Sequence, residues 1–490
     1  MSSDDPIYQR LVNKAALNNS DELVSDSALL KDSGTGLATG SVPGRIASRR
    51  DRRRSSLDVR TGKIFNPSFG ENIFEIITMR PPKYYTAQYE ITFWAQYTMQ
   101  MNDMLMALMS LYKADERKEK IDLGVGVYKN NTGQTPIMSA VRKAAIILND
   151  TQKTKSYVGL SGNLGFLDNI SQLVLANVVA KNQVVGAQAP GGTGAFHQLL
   201  LLIRSIGDDK QVWIPSPSWP NHAAILKHLG IQFNTYSYFD YETCEVNFSR
   251  MMSDLEKTNS GDVLLLHCCC HNPTGADLSL ENWTELTKFC KKKNILPLVD
   301  LAYQGFGDGI YDDVKGLRYM ASHLPEVCIG ISCSKNFGLY RDRVGAALMV
   351  VSDKKNQKLV EENLKSFNRV TFSFPPDYGA SLVEIILGGN NSQNNELIHL
   401  WENELNSMRN GMLELRKLLS ASLRLSTNST RFDFIERHRG MFSLMGLSAD
   451  QVARLREEFG IYMVGDSRIN IAGLNKDQID YFSSSIASII

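Results

Sequence analysis

Lys335 is the residue whose neighbours point most directly to chemistry. It lies in Ser332-Cys333-Ser334-Lys335-Asn336-Phe337-Gly338-Leu339-Tyr340-Arg341-Asp342-Arg343, between apolar runs at 327–331 and 344–351. Both runs read as buried strands. A lysine at the mouth of a buried sheet loses hydration, which favours its neutral amine and makes it a usable nucleophile. The hydroxyls on one side and the arginines on the other form a phosphate socket. A reactive amine beside a phosphate socket is what pyridoxal phosphate chemistry needs: an amine for the aldehyde and an anchor for the phosphate. Judged by spacing alone, a loop lysine is more often a solvated surface residue.

Other residues carry weaker signals of the same kind. Ala189-Pro190-Gly191-Gly192-Thr193-Gly194-Ala195 precedes a helical pattern at 197–203. Glycines that open a helix let backbone N–H groups approach a phosphate, and the helix N-terminus favours its charge. Glycine before a helix is common, so this loop says little alone. Asp300 ends the apolar stretch Leu298-Val299-Asp300. A buried carboxylate costs several kcal/mol unless paired. It reads as a helix cap, a core salt bridge or the partner of a buried cation such as a protonated pyridine nitrogen. Trp219 on its own suggests core packing.

These residues need a scaffold. Between about 135 and 405, helical patterns alternate with short apolar runs at 211–214, 263–270, 295–299, 327–331 and 346–351. Continuous hydrophobicity, without alternation, predicts strands covered on both faces, hence an α/β layer with a mostly parallel sheet. Ligands bind such sheets at the carboxyl ends of strands. Trp219 and Asn221, Asn272, Asp300 and Lys335 each follow a different predicted strand end. Converging on one crevice, they make a single site.

Composition narrows the classes. The 490 residues allow two or more domains, and a net charge of +1 gives no reason to expect nucleic acid or a membrane surface as partner. No apolar run approaches the ~20 residues that span a bilayer. Cys268, Cys269 and Cys270 are consecutive, a poor arrangement for disulfides or metal. They read as buried thiols in a reducing compartment, which places the protein in the cytoplasm. The acidic start, Met1-Ser2-Ser3-Asp4-Asp5, lacks the apolar region of a secretory signal.

Residues 1–102 stand apart. The Ser-, Gly- and Asp-rich stretch 21–42 reads as disordered. The cluster Arg45, Arg49, Arg50, Arg52, Arg53 and Arg54 reads as a solvated tail, with a localisation signal, an acidic-partner patch or a kinase target as alternatives. Tyr89-Glu90-Ile91-Thr92-Phe93-Trp94-Ala95-Gln96-Tyr97 fits a strand or a helix.

From about Asp103 onward the chain resembles the aspartate aminotransferase family, within class I of the fold type I pyridoxal phosphate enzymes. The resemblance rests on Ser332-Cys333-Ser334-Lys335-Asn336-Phe337-Gly338-Leu339-Tyr340, His271-Asn272-Pro273-Thr274-Gly275 and Asp300-Leu301-Ala302-Tyr303-Gln304-Gly305-Phe306. Pro215-Ser216-Pro217-Ser218-Trp219-Pro220-Asn221-His222 adds to it. It implies pyridoxal 5'-phosphate as cofactor and no metal. It assigns the phosphate to Gly192, Thr193, Ser332, Ser334 and Arg343, the ring nitrogen to Asp300, and the phenolic oxygen to Tyr303 and Asn272. Trp219 would stack on the ring, Lys335 would bond the cofactor and shuttle the proton, and His267 would stand behind Asp300. For substrate, the resemblance assigns Gly126, Trp219, Asn272 and Arg468, the last as the fork for the α-carboxylate. Tyr157 would reach the neighbouring subunit's phosphate, and Arg369 would cross the interface to a distal carboxylate, so a homodimer with shared sites is implied.

The same resemblance predicts a large cofactor-binding domain at 136–404 and a small α/β domain made of 103–135 and 405–490. The expected reaction is L-aspartate plus 2-oxoglutarate giving oxaloacetate plus L-glutamate, by a ping-pong mechanism. Two departures stand out. Phe374 replaces the Asn usual before the two prolines, which tilts the pocket toward aromatic substrates. The family's short N-terminal arm is replaced by an unrelated hundred residues. The alternatives are therefore an aromatic amino acid aminotransferase and, in another class, a non-catalytic protein acting through residues 1–102.

Overall fold

The computed structural model describes residues 104–490 apart from 208 and 389–391, together with 57–58 and 63–64. The chain divides into two units, Met1–Gln100 and Met101–Ile490. In the first, Leu57–Asp58 pairs antiparallel with Lys63–Ile64. The stretches 21–42, 45–54 and 89–97 read from the sequence lie outside the described residues.

The second unit is built on a seven-stranded sheet. Its strands are β1 (Val184–Pro190), β2 (Val212–Ser216), β3 (Phe233–Ser237), β4 (Val263–His267), β5 (Leu296–Leu301), β6 (Glu326–Ser332) and β7 (Val344–Val351). The order across the sheet is β1-β7-β6-β5-β4-β2-β3. Pairing is parallel except at β7, which runs antiparallel to both β6 and β1. The five apolar runs thus became five strands. The run 263–270 was read three residues too long: β4 stops at His267, and Cys270 turns into the left-handed region at φ +53°.

The two outer strands escaped the apolar-run criterion for physical reasons. β3 is an edge strand whose Asn234 and Thr235 are exposed. β1 holds small residues because β7 lies close: a Cβ on Gly186 would run into the Leu348 side chain. The inner strands bury both faces, as continuous hydrophobicity requires. Leu265, Leu298 and Met349 meet Phe196, Leu199 and Ile203 of α1 (Gly191–Ile206) on one face. Leu264, Leu266, Val299 and Ile329 belong to the core on the other, with Trp283 and Leu286 of α3 (Leu280–Lys293). All seven cysteines are free and buried.

The carboxyl edge of the sheet presents the chemistry. β1 runs directly into α1 at Gly191, and β2 leads through Trp219 into α2 (Pro220–His228). β4, β5 and β6 end just before Asn272, Tyr303 and Ser334. Beyond the sheet, α4 (Lys354–Thr371) carries Arg369, and the long α5 (Ser392–Thr427) leads to the C-terminal elements. There Phe442–Leu444 pairs antiparallel with Arg468–Asn470, opposing Leu444 to Arg468. Ile461–Tyr462 pairs parallel with Ile121–Asp122. Asn470 Nδ2 then donates to the carbonyls of Val125 and Val127 at 2.7 and 2.8 Å, which brings the Gly126 loop to the site. No described helix is long and apolar enough to cross a membrane.

Among the described residues, the seven strands and both their cores lie beyond residue 103. A chain beginning at Asp103 should therefore fold, with a cooperative melt within a few degrees of the full chain's. Circular dichroism and calorimetry on the two proteins check this; an insoluble or non-cooperative product would give residues 1–102 a structural role.

Candidate active site

A cavity of about 260 Å³ opens at the carboxyl edge of the sheet. Its walls hold twelve of the fourteen residues that the resemblance assigned to cofactor or substrate: Gly126, Gly192, Thr193, Trp219, Asn272, Asp300, Tyr303, Ser332, Ser334, Lys335, Arg343 and Arg468, while Asn221, expected at the same crevice, is exposed and lies outside it. They come from segments up to 342 residues apart, and only the fold joins them.

At one end is an anion cradle. α1 begins at Gly191 with Pro190 as a cap that offers no side-chain acceptor, so its first N–H groups face the cavity unclaimed by a cap. Ser332 Oγ donates to Ser334 Oγ at 3.1 Å, and Arg343 Nη1 donates to Ser334 Oγ at 3.3 Å. Glycine is required here by space. A Cβ on Gly191 would collide with the Arg343 guanidinium, and one on Gly192 would stand 2.9 Å from Ser332 Cβ. A phosphate monoester suits this set of hydroxyls, N–H groups and guanidinium.

Asp300 lies at the cavity floor. Its Oδ2 accepts from His222 Nε2 at 3.0 Å, while His222 Nδ1 lies 3.0 Å from Ser218 Oγ. A carboxylate can only accept, so the Nε2 tautomer is set and Nδ1 accepts the serine hydroxyl. Burial by itself raises the Asp300 carboxyl. The His222 hydrogen bond, with the two imidazoles and the Lys335 charge nearby, outweighs it, and the group titrates below its ordinary value. An anionic carboxylate at the floor is what a protonated pyridine nitrogen requires.

His267, expected behind Asp300, does stand beside it, with a ring nitrogen within 4.8 Å of the carboxylate, and the hydrogen bond to Asp300 comes from His222. His267 Nε2 sits 3.4 Å from Ser218 Oγ, and its Nδ1 accepts from the Asn272 backbone N–H at 3.3 Å. Burial, with His222 nearby, lowers His267 to about 3. It is a neutral spacer in a column of rings: Trp219 and His222 edge to face at 5.1 Å, His222 and His267 at 5.1 Å, His267 stacked on His271 at 4.1 Å, and His271 on Tyr238 at 4.0 Å. The signal for His222 was present in the sequence as the last residue of the Trp219 motif, three positions on in the first turn of α2.

Lys335 faces the cavity with Nζ 4.9 Å from the centre of the Tyr303 ring. Burial lowers its pKa; the Asp300 charge opposes that and the Arg343 charge adds to it. A larger neutral fraction is available for nucleophilic and proton-transfer work. Tyr303 moves the other way, raised by burial and by Asp300, and stays a phenol that can donate. Tyr340, unassigned from the sequence, lines the same wall and accepts the Tyr128 backbone N–H at 3.0 Å, tying the lysine loop to the Gly126 loop.

Arg468 forms the opposite end. It is 9% exposed, its Nη1 donates to Asn272 Oδ1 and its Nη2 to the Gly124 carbonyl, both at 3.3 Å. Nε has no partner among the described residues. Its guanidinium packs 4.5 Å from the centre of Phe442, a second wall residue the sequence did not single out. A buried guanidinium held only by neutral acceptors is open to a carboxylate.

Tyr157 and Arg369 do not line this cavity. Tyr157 is 85% exposed, and its ring stacks on Phe374 at 4.8 Å with 18° between planes. The Arg369 guanidinium lies 5.8 Å from the centre of the same Phe374 ring. The departure noted at Phe374 therefore places a half-buried ring against the exposed Tyr157 and Arg369.

Taken together, the cradle, the anionic floor, the neutral-leaning amine and the phenol fit pyridoxal phosphate residue for residue. The chain matches the profile of the family described as aminotransferase class I and II over residues 118–486. It is 47% identical to an aromatic-amino-acid aminotransferase of Paracoccus denitrificans over 390 residues, covering 80% of this chain and 98% of the relative. It is 39% identical to an aspartate aminotransferase of Salmonella typhi, covering 79% and 98%. A solved aromatic-amino-acid aminotransferase from Burkholderia pseudomallei, covalently bound to pyridoxal phosphate, superposes with a TM-score of 0.78 at 35% identity, covering 81% of this chain and 99% of that one.

His222→Leu should leave the Asp300 carboxyl to its burial, so its titration moves to higher pH. Infrared difference spectra of carboxyl-labelled protein across an acid titration check the direction. An unchanged titration would mean that His222 does not hold Asp300 ionised.

Proposed function

The chain belongs to the class I and II aminotransferases, with pyridoxal phosphate as its cofactor, and on that premise we propose that it transfers the amino group of aromatic L-amino acids to 2-oxoglutarate. The observation that carries the aromatic side is Phe374, whose ring stacks with Tyr157 beside Arg369 where an Asn is usual. The greater identity to the aromatic relative than to the aspartate relative supports it. Arg369 supports a dicarboxylate as the other substrate. It also keeps a second reading open, in which L-aspartate serves as a donor.

Bound in the cavity, pyridoxal phosphate supplies an aldehyde for the amino group and a ring that accepts electrons from Cα. The chain supplies the rest. Gly192, Thr193, Ser332, Ser334 and Arg343 anchor the phosphate. Asp300, kept ionised by His222, holds positive charge at the ring nitrogen. Tyr303 and Asn272 donate toward the phenolic oxygen, and Trp219 covers the ring and excludes water. Arg468 forks onto the α-carboxylate. Lys335 Nζ takes the proton from Cα as base and delivers it as acid.

Tyr157, Arg369 and Phe374 are exposed or half-buried on one chain, which supports a homodimer in which this trio serves the partner's cavity. We assign 136–404 to a large cofactor-binding part and 103–135 with 405–490 to a smaller part that closes over substrate. Seven free, buried cysteines fit a reducing compartment such as the cytoplasm.

Lys335→Ala should abolish transamination while the protein stays folded, because both amine exchange and proton transfer pass through this nitrogen. Turnover within about tenfold of the parent enzyme would remove Lys335 from these roles.

Arg369→Leu should cut kcat/KM for 2-oxoglutarate and aspartate by about one to two orders of magnitude, from a charge-assisted contact worth about 1.5–3 kcal/mol at ~1.4 kcal/mol per decade. Phenylalanine, which makes no ion pair there, should lose little, and Phe374→Asn should shift preference toward aspartate. A panel of phenylalanine, tyrosine and aspartate with all three enzymes checks this. Equal slowing of every substrate by Arg369→Leu would make Arg369 a dimer residue only.

A further inference from the structure

Beyond the cavity lies Arg416, a fully buried arginine in α5. It makes no ion pair among the described residues. Instead its donors gather one short segment. Nη1 donates to the Ile435 carbonyl at 3.0 Å and to Ser443 Oγ at 2.7 Å. Nη2 donates to the carbonyls of Phe442 at 2.7 Å, Gly440 at 2.9 Å and Arg439 at 3.2 Å, and Nε adds a bond to Gly440 at 3.3 Å. Burying a guanidinium is costly, and an apolar side chain would fill the space without that cost. What a hydrocarbon could not do is hold these carbonyls, which face inward with no strand to bond them.

The segment so gathered touches Arg468 from two directions. Its Phe442 ring supplies the face 4.5 Å from the Arg468 guanidinium. Its strand sets the register that places Leu444 opposite Arg468. It also abuts the loop that carries Asn272. Arg439 N–H donates to the Gly275 carbonyl at 2.8 Å, and Gly275, at φ +76°, comes so near that a Cβ there would run into the Phe442 carbonyl. Asn272 Oδ1 is one of the two acceptors Arg468 leans on, at 3.3 Å. Asp277 holds the far side of that loop, accepting from the N–H groups of Cys270 and His271 at 2.7 and 2.8 Å.

We propose that Arg416 is the positioning residue of the carboxylate-binding end of the cavity: by gathering the carbonyls of Ile435, Arg439, Gly440 and Phe442 and the Ser443 hydroxyl, it fixes the Phe442 face and the Asn272 loop between which Arg468 is held. It touches neither cofactor nor substrate. The proposal rests on the reading that Arg468 receives the substrate's α-carboxylate.

The test uses the full-chain holoenzyme and two unreactive probes, 3-phenylpropionate and its primary amide, titrated against the cofactor's absorbance. The ratio of acid to amide affinity reports how well a carboxylate is read. Arg416→Met should lower that ratio by at least about tenfold, as expected for one misaligned charge-assisted contact. Ser443→Ala, which removes one acceptor and keeps the arginine, should lower it by roughly threefold, and carries the test if the methionine variant does not fold. Acid and amide weakened alike, or an unchanged ratio while Arg468→Lys lowers it, would overturn the role of Arg416. An unchanged ratio in Arg468→Lys would overturn the α-carboxylate reading and the proposal with it.

Discussion

The hydrogen bond between His222 and Asp300 is the constraint on which the rest of the site depends. A carboxyl at the floor of a closed cavity tends to keep its proton, because burial penalises its charge. His222 reverses that balance at 3.0 Å and is itself fixed by Ser218. The anion in turn opposes the fall in the Lys335 pKa and raises the Tyr303 phenol. One buried interaction thus biases three groups of different chemistry. The neutral imidazoles of His267 and His271, stacked beneath, let the floor be polar without adding further charge.

The two ends of the cavity solve the opposite problem, that of holding a cation ready for an anion. Arg343 shares its guanidinium with Ser334 and the Tyr340 carbonyl. Arg468 leans on an amide oxygen, a backbone carbonyl and the Phe442 face. Neutral acceptors satisfy part of each guanidinium without neutralising it, so charge remains for a ligand. Arg416 extends the same logic away from the cavity, spending a buried charge on carbonyls to hold a segment in place. Glycines at 191, 192 and 275 let the backbone come near enough for these contacts to form.

Much of this was legible in the residues before folding. Continuous apolar runs located five of seven strands, because inner strands must be apolar on both faces. The polar residues after those runs, apart from the exposed Asn221, proved to share one crevice, because a mostly parallel sheet gathers its strand ends on one edge. β1 and β3 were not legible. One needed small residues where β7 comes close, and the other is a half-exposed edge, so neither has the signature of burial. Spacing also could not tell His222 from His267. Both follow strand ends, and only the path of α2 shows which imidazole reaches Asp300.

The sequence by itself determined the chemistry available: an amine, a carboxyl and a phosphate socket, each beside a strand whose hydrophobicity requires burial, with Arg369 and Arg468 singled out by the family resemblance. Those facts are local, since residue type and nearby pattern suffice for them. The tertiary structure alone decided which groups act together. Arg468 meets Asn272 across 196 positions, and Arg416 meets Phe442 across 26. It alone decided that Tyr157 and Arg369 both pack against the ring of Phe374. Such partnerships depend on distances of a few ångströms between elements far apart in the chain, and no local pattern encodes them.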